Sequence, residues 1–241
     1  MSNNLSATEP RALRVYQQRI VEAVGSSNAI VKMPTGSGKT IVAAELLRRR
    51  HENAKSPGPP NQKTLFLVPT CELVEQQARV VESWTAHTIA VARFTGGMSD
   101  PVLAAFEVLV ATPQAFLGLK QRCHWSWDLF HMVIYDEVHH VLKDHPYRKI
   151  ALDLLVLRNE HSTEEAPQML GLSASLTYGV IEEEIRKTLL KLCRELGIVK
   201  MMTPNEQELI EGGYIPQKRD DNIEVEISSE VPEGVPSAIE R

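Results

Sequence analysis

Short apolar runs alternate with segments of helical spacing along most of this 241-residue chain. The apolar runs are rich in β-branched residues and nearly continuous in apolar character, which is typical of strands that are buried on both faces. These runs cover residues 28–33, 64–70, 88–94, 106–112, 130–137 and 169–175. Helical periodicity appears at residues 40–51, 72–84, 113–120, 145–161 and 179–198. The alternation predicts an α/β fold, in which a mostly parallel sheet is covered by helices on both faces.

Composition limits the partners of such a fold. The formal net charge is −5 and the sequence pI is about 5.9, so bulk attraction to nucleic acid is excluded and any such contact has to be local. Since no apolar segment reaches the roughly 18 residues of a membrane span, we expect no membrane partner. The first ten residues lack the features of a secretory signal. We therefore expect an intracellular, cytoplasmic protein, with a nuclear location left open.

The stretch "VKMPTGSGKT" follows one predicted strand and begins a predicted helix. Backbone N–H groups at such a junction can bind an anion, because they meet the positive end of the helix dipole. Lys39 would contact the β- and γ-phosphates of a nucleotide, and the Thr40 hydroxyl would bind Mg²⁺. The strict G-x-x-x-x-G-K-[ST] pattern has a glycine where Met33 stands, so an ordinary turn is the alternative. The predicted phosphate-binding residues are Thr35, Gly36, Ser37, Gly38, Lys39 and Thr40.

A second polar motif ends the predicted strand at 130–137, where "HMVIYDEVHH" places two adjacent carboxylates. In a parallel sheet they would lie at the same carboxyl edge as the phosphate loop, which is where α/β folds bind ligands. Asp136 would hold Mg²⁺, and Glu137 would orient and deprotonate the attacking water. The two motifs together predict an ATP site with Mg²⁺, whose catalytic residues are Lys39, Asp136 and Glu137.

The order of motifs resembles the first RecA-like motor domain of a superfamily 2 helicase, a P-loop NTPase. "LRVYQQ" (13–18) is similar to the adenine-sensing Q motif, with Gln17 as its central residue. The branch that contains Dicer and the cytosolic duplex-RNA sensors is the most similar, and Dicer is the best match within it. The segments that carry this resemblance are "VPTCELVEQQ" (68–77), "TGG" (95–97), "ATPQAF" (111–116), "HPYRKI" (145–150), "LGLSAS" (170–175) and "TPNEQELIEGGYIPQK" (203–218).

The resemblance also implies roles for residues outside the ATP site. Contacts with one strand of RNA, made through hydroxyl and backbone groups, are implied for Thr70, Gly97 and Thr112. Such contacts need no net positive charge, which agrees with the acidic composition. Coupling between the nucleotide and the RNA face is implied for His139, Ser173 and Ser175. The chain departs from the branch at Val138, where a cysteine is usual.

The predicted organisation has four parts: an N-terminal tail (1–9), the RecA-like domain (10–200), an exit segment (201–227) and a C-terminal tail (228–241). Helicases of this type need a second RecA-like domain in cis, whose arginines stabilise charge on the γ-phosphate. The sequence after residue 200 holds neither a second strand-helix series nor an RNase III signature. We therefore expect the first motor domain alone, binding ATP and Mg²⁺ and hydrolysing ATP slowly, with stimulation by duplex RNA.

Two other functions remain open at this point. One is a DNA translocase of the related repair-helicase branch, against which only "HPYRKI" and the exit segment argue. The other is a regulatory nucleotide- or RNA-binding module without turnover. The complete set of Lys39, Thr40, Asp136 and Glu137 favours an enzyme.

Overall fold

The computed structural model of the chain describes residues 12–53, 63–142, 145–160, 166–174, 197–198 and 200–213. Several predictions lie wholly or mainly outside these ranges: the two tails, nearly all of the helix expected at 179–198, and Ser175. The exit segment is described as far as residue 213.

Seven strands form one sheet in the described part of the chain, with the order β3-β4-β2-β5-β6-β1-β7. Every pairing is parallel, so the predicted α/β class is confirmed. The seventh strand begins at the last residue of the predicted RecA-like domain, extends into the exit segment and pairs with β1, so the sheet continues beyond residue 200. The strands are β1 (Ala29–Lys32), β2 (Lys63–Leu67), β3 (Val91–Phe94), β4 (Val108–Ala111), β5 (Phe130–Tyr135), β6 (Gln168–Ser173) and β7 (Lys200–Met202).

Helices connect these strands and agree with the four that periodicity predicts between them. They are α1 (Val15–Val24), α2 (Lys39–Asn53), α3 (Cys71–Trp84), α4 (Pro113–Arg122), α5 (Pro146–Glu160) and α6 (Glu206–Glu211), with 3₁₀ turns at Leu103–Ala105, Trp127–Leu129 and Val138–Leu142. The periodicity did not predict α1 and α6. None of the helices described here has the length and apolar character that a membrane crossing requires.

Two separate cores cover the two faces of the sheet. Successive strand residues point to opposite faces, so Phe66 of β2 joins one core while Leu65 and Leu67 join the other. Buried side chains of α1, α2 and α3 fill the first core, and those of α4 and α5 fill the second. Helices therefore lie on both faces, as predicted, and this explains why the strand sequences are continuously apolar.

The strand order divides the carboxyl edge of the sheet into two halves. The phosphate loop follows β1 and the acidic pair follows β5, with β6 between them. Neighbouring strands lie about 4.8 Å apart, so the two motifs begin about 10 Å from each other. The residues predicted to contact RNA follow β2, β3 and β4, which form the other half of the edge.

Val138, the residue that departs from the related branch, has a packing role. Its side chain is buried, and it lies against Gly171 of β6. A Cβ atom added at Gly171 would lie 2.8 Å from Cγ2 of Val138, which is closer than real contacts allow. The valine therefore occupies the space that the glycine leaves open.

Replacing Gly171 by alanine should lower the free energy of unfolding by about 1–3 kcal/mol, because the added methyl group overpacks this contact. Urea unfolding of the Gly171→Ala variant measures the loss. In a Val138→Ala background the same substitution should cost less, because the clashing methyl groups are gone. Equal losses in the two backgrounds would show that another contact is responsible.

Candidate active site

The loop between β1 and α2 has the backbone shape of an anion site. Gly36 and Gly38 have φ values of +79° and +89°, a conformation that residues with side chains rarely adopt. Ser37 closes the loop, since its N–H and its hydroxyl both donate to the Pro34 carbonyl, at 3.2 and 2.6 Å. Thr35 and Gly36 are exposed. The first turn of α2 holds no acidic residue, so its positive end remains free for an anion.

Helix α1 is hydrogen-bonded to this loop. The Tyr16 hydroxyl and the Gln17 amide Nε2 both donate to the Ser37 carbonyl, at 2.8 and 3.1 Å. Oε1 of Gln17 accepts from the Arg14 N–H at 3.0 Å, and only 2% of Gln17 is exposed. A side chain at Gly38 would overlap the Gln17 amide nitrogen. Gln17 is thus a buried part of the site and not a solvated helix residue, while its contact with adenine stays a prediction.

Lys39 is partly buried, and its side chain folds back on the start of the phosphate loop. Its ammonium group donates to the carbonyls of Met33 and Pro34, at 3.0 and 3.3 Å. Burial lowers the pKa of Lys39, and the charges of Glu137 and Asp136 oppose this shift. The lysine is therefore held inside the site, close enough to both carboxylates to interact with their charge.

Asp136 follows β5 and is 6% exposed. Its carboxylate accepts one hydrogen bond on each oxygen, from Gln77 Nε2 to Oδ2 at 3.0 Å and from the Glu137 N–H to Oδ1 at 3.1 Å. The Tyr147 hydroxyl donates to its main-chain carbonyl at 2.9 Å. Burial, with a further contribution from the charge of Glu137, raises the pKa of Asp136 to about 6, although Lys39 opposes the shift.

Glu137 has a positive φ of +50°, so the chain turns sharply at the end of β5. Its carboxylate Oε2 lies 3.3 Å from Nδ1 of His139, which is also 3.1 Å from the Ser173 hydroxyl. The Ser173 carbonyl accepts from the Met33 N–H at 3.0 Å. Ser173 therefore joins the start of the phosphate loop to the turn after the acidic pair, and the expected contact with His139 is present. Ser175 lies outside the described residues.

The three residues predicted to contact RNA differ in accessibility. Thr70 is exposed at the N-cap of α3. The backbone N–H of Glu72, with a further contribution from Thr70, lowers the pKa of the nearby Glu72 carboxyl group. Gly97 is exposed with a φ of +67°, and no atom lies within 4 Å of the position of an added Cβ. Thr112, at the N-cap of α4, is only 9% exposed. Two of the three residues, Thr70 and Gly97, are therefore accessible to a nucleic acid.

The residues present fit a magnesium ion. The Thr40 hydroxyl, in the first turn of α2, and the Asp136 carboxylate are oxygen donors of the kind that Mg²⁺ prefers. Beside that carboxylate, Oε1 of Gln77 is buried and has no hydrogen-bond partner within the described residues. Mg²⁺ usually keeps several waters when a protein binds it, and such waters are donors.

Sequence reasoning missed three side chains that shape this site: Tyr16, Gln77 and Tyr147. A signal existed for Gln77, because it shares the buried face of α3 with Val74 and Ala78, where an apolar residue is expected. The partners of the two tyrosines are distant in the sequence, so no spacing indicates them.

The raised pKa of Asp136 predicts a pH-dependent cost to stability. The pKa of Asp136 is about 6 in the folded state and 3.8 ordinarily, so the folded state keeps the proton up to a higher pH than the unfolded state does. The free energy of unfolding therefore falls as pH rises from about 4 through about 6. Without nucleotide or Mg²⁺, Asp136→Asn should therefore be more stable than the wild type at pH 8, by about 2–3 kcal/mol.

Denaturant unfolding between pH 5 and pH 8 measures this difference, which should shrink as pH falls. Asp128→Asn, at an exposed position, is the matched control. A constant advantage of Asp136→Asn at every pH would contradict the electrostatic cause.

Curated relatives with clear sequence similarity include Dicer proteins and an immune receptor. Dicer-like protein 1 of Cryphonectria parasitica is 32% identical over 181 residues, which is 70% of this chain and 12% of that protein. Endoribonuclease Dicer homolog 2b of Oryza sativa subsp. japonica is 34% identical over 181 residues, 70% of this chain and 13% of that protein. The human antiviral innate immune response receptor RIG-I is 31% identical over 227 residues, 89% of this chain and 24% of that protein.

This chain therefore spans between about one eighth and one quarter of the length of these relatives. They confirm the resemblance to the branch that contains Dicer proteins and RIG-I. The family model for the DEAD/DEAH box helicase matches residues 14–183, which include the phosphate loop, the acidic pair and Ser173. With its parallel sheet and its P-loop, this chain belongs to the DEAD/DEAH box helicase family.

Proposed function

We propose that this chain is the ATP-binding and ATP-hydrolysing motor domain of a duplex-RNA helicase or translocase of the Dicer-like branch. The observation that carries the proposal is the meeting of the phosphate loop and the acidic pair at one sheet edge. There, Lys39 interacts with the charges of Asp136 and Glu137. A lysine and two carboxylates beside a glycine-rich loop are the groups that phosphoryl transfer from ATP requires.

Each residue of this site has a distinct task. The loop N–H groups and Lys39 bind the phosphates, and Gln17 both supports the loop and contacts adenine. Thr40 and Asp136 would hold Mg²⁺, and the ion would neutralise part of the negative charge on the phosphates. Glu137 accepts the proton of the attacking water, and its neighbour His139 holds the carboxylate in place.

Duplex RNA is the proposed nucleic-acid partner. Two of the relatives are named Dicer proteins, and one of those is named an endoribonuclease. Thr70 and Gly97 are exposed beyond β2 and β3, at the same edge as the ATP site. Hydroxyl and backbone contacts of this kind suit an acidic protein, because they bind phosphates without a basic surface. The cytoplasm is the compartment where we propose that it acts.

Slow turnover is part of the proposal. In helicases of this type, arginines that stabilise charge on the γ-phosphate come from a second RecA-like domain, which we propose as a partner in cis. Arginines of this kind increase the rate of hydrolysis by a factor of about 10³ to 10⁵. The 241 residues alone should therefore bind ATP and Mg²⁺ well and hydrolyse ATP slowly.

Two substitutions separate binding from hydrolysis. Lys39→Ala should abolish ATP affinity, because it removes the cation that contacts the phosphates. Glu137→Gln should keep that affinity and reduce hydrolysis by about 10²- to 10⁴-fold, because it removes the general base. Calorimetric binding and single-turnover hydrolysis measure the two effects, with Glu22→Gln on the exposed side of α1 as the control. Normal hydrolysis by Glu137→Gln would show that another group is the base.

The choice of nucleic acid is tested by stimulation of the ATPase. Blunt duplex RNA should stimulate hydrolysis more than duplex DNA of the same sequence, because RNA presents 2′-hydroxyl groups along its minor groove. Steady-state ATP hydrolysis with each duplex, at fixed salt, measures the difference. Equal stimulation would contradict the assignment to RNA, and stronger stimulation by duplex DNA would favour a DNA translocase.

A further inference from the structure

Gln77 is the polar residue on an otherwise apolar face of α3. It is 6% exposed and lies in the buried stripe formed by Val74, Ala78 and Val81. Its amide is directed at Asp136, a residue 59 positions later in the sequence. Burying an amide is unfavourable unless its donors and acceptors are hydrogen-bonded. Packing alone would therefore favour an apolar residue at this position, and the contact with Asp136 indicates a further role.

The hydrogen bond from Gln77 restricts how the Asp136 carboxylate can rotate. Nε2 of Gln77 donates to Oδ2 at 3.0 Å, while the N–H of Glu137 donates to Oδ1 at 3.1 Å. With one donor on each oxygen, rotation about the Cβ–Cγ bond would break both contacts. Each carboxylate oxygen can accept a further interaction, so the fixed group still has the capacity to bind a cation or its water.

The orientation of the Gln77 amide follows from this contact. The reverse orientation would turn the amide oxygen toward a carboxylate, where both atoms are acceptors and repel each other. The observed orientation leaves Oε1 buried without a hydrogen-bond partner in the part of the chain that is described. An unpaired buried acceptor lowers the stability of the folded state. The structure therefore keeps the hydrogen bond from Nε2 to Asp136 at a cost in stability at Oε1.

We infer that Gln77 is a positioning residue that holds the Asp136 carboxylate in the orientation needed to bind the Mg²⁺ of the nucleotide. This inference rests on the proposed ATP site. Gln77 touches neither the nucleotide nor the reacting atoms in this role; it acts through Asp136. Groups that orient a metal ligand commonly change metal affinity by about 10-fold or more when they are replaced.

Gln77→Met tests the inference, because methionine has a similar length and lacks the donor. The matched control is Gln76→Met, on the exposed side of the same helix. Binding of a fluorescent ATP analogue is measured in EDTA and during a Mg²⁺ titration. The Mg²⁺ concentration for half-maximal effect should rise about 10-fold in Gln77→Met and stay unchanged in Gln76→Met. Affinity in EDTA should be unchanged in both variants.

Thermal unfolding shows whether the variants fold, and Gln77→Leu serves as a second apolar replacement that should reproduce the shift. An unchanged Mg²⁺ requirement in folded Gln77→Met or Gln77→Leu would overturn the inference. Equal weakening in EDTA and in Mg²⁺ would also overturn it, because that result indicates a general structural role. Failure of the wild type to bind the analogue, or to respond to Mg²⁺, would instead overturn the proposed ATP site and the inference with it.

Discussion

The fold depends on a parallel sheet that is buried on both faces. Parallel strands need helices as crossovers, and the helices leave only the edges of the sheet open to ligands. Because all described strands run in one direction, their carboxyl ends meet at one edge, which holds the phosphate loop, the acidic pair and the exposed loop residues Thr70 and Gly97. The strand order then assigns β5, β6 and β1 to the nucleotide side and β2, β3 and β4 to the other side.

Buried hydrogen bonds from two helices fix the parts of the site that the strands only place roughly. Helix α1 donates two hydrogen bonds to the Ser37 carbonyl, from Tyr16 and Gln17, and these bonds fix the phosphate loop. Helix α3 holds the Asp136 carboxylate through Gln77. Thr70 is the N-cap of the same helix, so α3 connects a proposed RNA contact with the residue that holds a proposed metal ligand. The low dielectric of this interior strengthens each contact and raises the pKa of Asp136.

Sequence reasoning predicted most of the fold, because its signals were local. Six strands and the four helices between them follow from periodicity, and β7 was missed because Lys200–Met202 is short and largely exposed at the edge of the sheet. In the site, the loop and the acidic pair carry recognisable motifs. The partners of Asp136 were not predicted, because Gln77 and Tyr147 belong to helices whose contacts depend on packing. Thr112 is largely buried at the start of α4, and its contact with RNA stays a prediction.

The sequence by itself determined the class of fold, the phosphate loop and the identity of the two carboxylates. Continuous apolar runs specify buried parallel strands, and a glycine-rich loop before a helix specifies an anion site, whatever the rest of the chain does. Only the tertiary structure decided that Lys39 interacts with the charges of Asp136 and Glu137, that Gln17 is buried against Ser37, and that Gln77 holds Asp136. Those contacts join residues from different elements, and their geometry is set by how helices pack on the two faces of the sheet.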